Sequence, residues 1–206
     1  PLPYPGVIRA WLWNAYAGGL RFACSYRFRQ PLSGGEQYHY GMVGTDGETP
    51  SIGGEQYSQF MSELKELRKS FNPKAKMPEE ISKLRTAVLL NMDNWWETNI
   101  AKQTFQWNFD QHLFKIYGAI KSLGVPVDFI NENSDWSAYK YMVCPAYQLV
   151  DKALVEKWQK YVENGGNLVF TCRAAQMDRN GHLWEAPWAA PIHELIGAKV
   201  PRYDHL

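Results

Sequence analysis

With 206 residues, 45% hydrophobic and 21% charged, the chain has room for one ordinary domain, or for one and a half smaller ones, around a real core. A net charge of +1 leaves no basic field for nucleic acid, and the longest apolar runs, such as 86-TAVLLNM-92, are too short to cross a bilayer. Aromatic content is high at 15%, with nine tryptophans, and exposed aromatics are the usual platforms for sugar rings.

The first predicted element is a helix over 5–18. Pro5 suits its first turn, Ile8, Trp11, Leu12 and Ala15 recur at helical spacing, and Gly18-Gly19 can end it. The run 20-LRFACSYRF-28 alternates with period two and predicts a strand. A long loop over 29–53 follows, rich in Gly, Pro and Ser; loops of this length are functional or disordered. Tyr57, Phe60, Met61, Leu64 and Leu67 then mark one face of a helix over 54–69.

The polar stretch 70-SFNPKAKMPEE-80, with two prolines, is the best domain boundary. Beyond it, strands are predicted at 86–91, 125–130, 140–145 and 167–171, with helices at 105–123, 151–164 and 191–196. Strands separated by helices imply right-handed βαβ units, hence an α/β fold with a four-strand parallel sheet and helices on both faces. Before the boundary stand only one and a half αβ repeats, and a lone strand cannot form a sheet. The first part therefore reads as the tail of a larger αβ-repeat domain, and 1-PLPYPG-6 as the interior of a protein, so the compartment is not written in this chain.

The candidate site is 26-YRFRQPLSGGEQYHYG-41, in the loop after the predicted strand, where α/β and barrel enzymes place their sites. Glu36 and His39, three apart behind Gly34-Gly35, can face one ligand and bond neighbouring hydroxyls; the bland alternative is a solvated loop. As a metal pair they lack a third ligand. Arg27 and Arg29 either orient a carboxylate or form a structural ion pair. The near copy 53-GGEQY-57 reads as a helix start, with Glu55 in the first turn. Trp95 and Trp96 read as core or interface. The segment 91-NMDNWWETN-99 has no glycine- or serine-rich phosphate loop, which disfavours FMN. Cys24, Cys144 and Cys172 have no metal spacing and read as buried free thiols. Cys144 lacks the small neighbours of a nucleophile elbow.

The pattern 5-PGVIRAWLWNAYAGG-19, then 26-YRFRQPLSGGEQYHYG-41, then 46-DGETP-50 resembles glycoside hydrolase family 42, the β-galactosidases. There a "PG…R-W…A…G" helix precedes a barrel strand ending in "F-R-W-R-Q", followed by "G-x-E-x-Y-H" and "DG". Phe28 to Gln30 carry most of that run here, with no tryptophan inside it. Residues 86–200 resemble the family's trimerisation domain through 93-DNWW-96, 125-VPVDFI-130, 140-KYMVCPAY-147 and 161-YVENGGNLVFTCRAAQMD-178.

The resemblance implies residues 1–72 as the last αβ repeat of an incomplete TIM barrel, a linker over 73–81, and a flavodoxin-like sheet over 82–206. That sheet is related to class I glutamine amidotransferases and is cut short at its C-terminal end. It implies galactose contacts from Glu36, His39, Tyr26 and Arg29, a galactoside substrate and a homotrimer. It implies no cofactor, metal, nucleic acid or membrane. Retaining hydrolysis needs two carboxylates about 5 Å apart, and both matching positions fall before Pro1, so the chain is expected to be inactive alone. The rival reading is a non-catalytic flavodoxin-like module for assembly or binding.

Overall fold

The computed structural model describes residues 3–72 and 74–202. The chain divides into two compact units, 1–75 and 76–206. In the first, α1 (Val7–Ala17) packs on α2 (Ile52–Ser70). Trp13 meets Phe60 edge to face at 5.0 Å. Glu63 binds them further: it accepts from Arg9 Nε at 2.7 Å and from Trp13 Nε1 at 2.9 Å. Ser51 caps α2 by accepting the Gly54 amide at 3.1 Å, so 53-GGEQY-57 is a helix start, with Glu55 in the first turn.

The predicted strand over 20–28 is absent. Its residues are irregular and mostly exposed, and the nearest pairing among the described residues is an isolated bridge just beyond it, Arg29 to Val43. A strand exists by exchanging N–H and C=O groups with a neighbour. Alternation in the sequence records a neighbour that the described residues of this unit do not supply.

The second unit opens with a one-turn α3 (Glu79–Ser82), which begins within the predicted linker, and continues with β1 (Thr86–Leu89), α4 (Met92–Ile100), α5 (Phe109–Ser122), β2 (Val127–Ile130), β3 (Tyr141–Cys144), α6 (Lys152–Glu163) and β4 (Asn167–Phe170). A 3₁₀ turn (Ala190–Ile192) and α7 (His193–Ile196) follow. The four strands form one parallel sheet in the order β2-β1-β3-β4. The central strand β1 is buried along its whole length, as a strand covered on both faces must be.

Helix α6 shows how the sequence builds this core. Asp151 accepts the Leu154 amide at 2.8 Å and starts the helix. Leu154, Trp158 and Tyr161, at helical spacing, are its buried residues. Trp158 packs edge to face on Phe170 of β4 at 4.9 Å. Gly165, at φ 87°, turns the chain back after α6, and a Cβ on Gly166 would stand 2.4 Å from the Tyr161 ring.

Helix α4 was not expected, and its burial is inverted. It turns Asn94 and Thr98 inward and Met92, Trp96 and Ile100 outward. Trp95 is half-buried, 5.9 Å from the Phe109 ring. The thiols also depart from expectation. Only Cys144, at the end of β3, is buried, and burial pushes its thiol well up; Cys24 and Cys172 are exposed, because neither segment is sealed by the sheet.

Candidate functional site

The loop over 29–50 is turn-rich but braced. Arg29 pairs with Val43 and Val43 with Pro50 as isolated bridges. Gly41 is required where it stands, since a Cβ would lie 2.7 Å from the backbone of residues 28–30. At the far end, Asp46 accepts the amides of Glu48 and Thr49, both at 3.0 Å, and the Thr49 hydroxyl. These bonds bring its carboxyl down to about 2, the hydroxyl contributing most.

This frame presents Tyr26, Arg27 and Glu36 together. The Tyr26 hydroxyl donates to Glu36 Oε2 at 2.6 Å, and Arg27 Nη1 donates to the same oxygen at 3.1 Å. The Tyr26 bond first, then Arg27, holds the Glu36 carboxyl below the usual carboxylate range. Glu36 is therefore an ionised acceptor at neutral pH, suited to holding hydroxyls and unsuited to donating a proton. His39 sits on the same turn, its amide bonded to the Glu36 carbonyl at 2.8 Å, with its side chain exposed. Tyr26 is 74% exposed, leaving its ring free to meet a ligand.

Of the two arginines, Arg27 takes the carboxylate. Arg29 turns away to the Thr45 carbonyl, 3.1 Å from its Nε, and packs on Gly47. Beside the cluster a cavity of about 620 Å³ is lined by Trp11, Tyr26, Arg27, Tyr40 and Tyr57; Glu36 stands outside its wall.

A second polar cluster, which sequence reasoning did not find, lies past the carboxyl ends of the strands in the second unit. Glu132, two residues beyond β2, accepts from Arg179 Nη1 at 2.9 Å and Nη2 at 2.7 Å, from Asn91 Nδ2 at 3.2 Å and from the Tyr147 hydroxyl. Arg179 Nε also reaches Asp151 at 2.8 Å. Partners up to 47 positions apart leave no local pattern that would have signalled them. Open α/β sheets place ligands at such strand ends, but here the carboxylate and guanidinium are engaged with each other.

Arg179 holds the Asp151 carboxyl below its ordinary value, with burial opposing. A depressed native value contributes stability that is present above the unfolded value, about 3.9, and is lost as pH falls through the native one. The melting temperature is thus expected to drop below about pH 4. Asp151→Asn, which keeps the cap but not the charge, should show a shallower drop between pH 5 and 2.5 by circular dichroism. Among the described residues, no group of three His, Cys, Asp or Glu side chains is placed to hold a metal ion, and no helix is long and apolar enough to cross a membrane.

In this α/β chain an exposed loop sets an ionised carboxylate and a histidine on one turn, beside an open tyrosine. Residues 84–206 match the family described as the β-galactosidase trimerisation domain, and residues 1–67 the family described as β-galactosidase. The chain belongs to the glycoside hydrolase family 42 β-galactosidases.

It is 28% identical over 206 residues to "Beta-galactosidase Bga" of Halorubrum lacusprofundi, covering 100% of this chain and 28% of that protein. It is also 28% identical to "Beta-galactosidase BgaH" of Haloferax lucentense, covering 100% of this chain and 29% of that one. The solved β-galactosidase of the Antarctic haloarchaeon H. lacusprofundi superposes with a TM-score of 0.85 at 27% identity, over 100% of this chain and 29% of that structure. The chain thus spans less than a third of the length of these relatives.

Proposed function

We propose that the chain is part of a retaining β-galactosidase that hydrolyses terminal β-D-galactosides, supplying galactose contacts and the assembly domain, with both catalytic carboxylates elsewhere in the protein. Family membership supports the substrate class. The observation that carries the site is the Tyr26–Arg27–Glu36 cluster, which keeps a carboxylate ionised through bonds to Oε2 alone and leaves Oε1 open to a ligand among the described residues. Glu36 accepts from sugar hydroxyls, His39 bonds a neighbouring hydroxyl, and the Tyr26 ring stacks on the apolar face of the sugar. Arg29 braces the Thr45–Gly47 turn beside them. The reaction needs a nucleophile and an acid/base about 5 Å apart; Glu132 and Asp151, both engaged by Arg179, are not free for either role.

Within this reading residues 1–72 are the last αβ repeat of a TIM barrel, and 82–206 a flavodoxin-like domain that assembles as a homotrimer. The strand order β2-β1-β3-β4 supports the latter, because it is the beginning of the flavodoxin order 2-1-3-4-5. A non-catalytic assembly module is the second reading, favoured by the self-satisfied cluster at the strand ends.

The test is Glu36→Ala in the full-length enzyme. Loss of the charged acceptor for the sugar hydroxyls is expected to lower kcat/KM on a chromogenic β-galactoside about 10- to 100-fold. Unchanged kcat and KM would remove the subsite assignment. Turnover by the 206-residue chain itself would place the catalytic carboxylates inside it.

A further inference from the structure

Helix α4 is apolar on the side where a surface helix should be polar. Met92, Trp96 and Ile100, at four-residue intervals, are 51%, 57% and 82% exposed, while Asn94 and Thr98 on the opposite side are buried. The inner polar residues are explained: Asn94 binds backbone after β3, and Thr98 Oγ1 donates to the Asn94 carbonyl at 2.8 Å. The outer apolar ones are not: nothing among the described residues of this unit covers them. Five residues past the stripe, in the loop leading to α5, Phe105 is fully exposed.

We infer that this outer face of α4, with Phe105, is the contact surface for a second copy of the chain. The inference rests on the assembly reading above and goes on to say where assembly occurs. Two observations favour a copy over another occupant. The stripe lies within residues 84–206, which match a trimerisation domain. Its three side chains and Phe105 also expose on the order of 600 Å² of mostly apolar surface. That is at the upper limit of roughly 300–600 Å² for the largest patch on an ordinary monomer. It approaches the roughly 800 Å² per partner of a stable interface. The rim carries both signs, Asp93 and Lys102 being exposed. A cyclic trimer joins two different surfaces of each subunit, so the stripe meets a face of its neighbour other than its own copy.

Sedimentation equilibrium of the 206-residue chain, from about 1 to 100 µM, tests this. The wild type is expected to reach three times the monomer mass. Trp96→Glu/Ile100→Lys is expected to remain monomeric, or to need at least 100-fold more protein to associate. Ile100→Lys/Phe105→Lys serves as a second variant, because both side chains are almost free of packing and their loss leaves the fold intact, which circular dichroism verifies. If the wild type assembles and both variants assemble equally well, the α4 surface is wrong while the assembly reading stands. A wild type that stays monomeric throughout overturns both, and assigns the stripe to another segment of its own protein.

Discussion

Asn94→Leu is expected to cost the second unit about 4 kcal/mol, because three buried backbone groups lose their partner together. Asn94 is 1% exposed. Its Oδ1 accepts the amides of Gln148 at 2.8 Å and Leu149 at 3.2 Å, and its Nδ2 donates to the Ala146 carbonyl at 3.1 Å. The backbone it braces is unusual, since Ala146 sits at φ 41°, in the left-handed region that a non-glycine residue adopts at a cost. Each orphaned buried group costs about 1–3 kcal/mol, and leucine, though similar in volume, answers none of them. A urea midpoint read by far-ultraviolet circular dichroism should move far to lower concentration. Asp93→Asn, one position earlier and exposed, should shift it by about 0.5 kcal/mol or less. Equal midpoints for Asn94→Leu and wild type would mean that the carboxamide does not hold the turn after β3.

That residue also explains why α4 escaped the sequence. Helix prediction looks for apolar residues recurring on one face. In 92-MDNWWETNI-100 the buried positions are the polar Asn94 and Thr98, and the apolar period points outward. Where the burial followed the ordinary rule, the text was legible: the helix expected over 151–164 is α6, with Leu154, Trp158 and Tyr161 buried, and 86-TAVLLN-91 contains the central strand. The run 20–28 failed for the opposite reason. Its alternation is real, but a strand is a property of pairs, and among the described residues only its last two carbonyls, of Arg27 and Phe28, accept from a neighbouring segment, at Met42 and Val43. In the site, Glu36 and His39 were visible as a spaced pair in a glycine-led loop. That Arg27, and not Arg29, would reach the carboxylate depends on how the chain turns at residues 26–30, which spacing does not encode.

The two adjacent glycines of 53-GGEQY-57 should respond oppositely to alanine, although the sequence does not distinguish them. A Cβ on Gly53 would meet the far end of the Ile8 side chain at 3.2 Å, which can move aside; one on Gly54 would stand 2.0 Å from the Met42 carbonyl oxygen, which cannot. Alanine in a helix is favoured over glycine by about 0.8–1 kcal/mol, so Gly53→Ala should be neutral or slightly stabilising. Gly54→Ala should cost about 3 kcal/mol, as overpacking against backbone does. The damage should reach the site. The Met42 carbonyl accepts the Ser51 amide at 2.9 Å, and the Met42 amide donates to the Arg27 carbonyl at 3.0 Å. Moving Met42 therefore shifts both the cap of α2 and the arginine that binds Glu36. Thermal melts of the two single variants, with kcat/KM of each in the full-length enzyme, separate the effects: Gly54→Ala should lose stability and sugar affinity together, Gly53→Ala neither. Matching losses in both would show that α2 and the site loop are not in the close contact described.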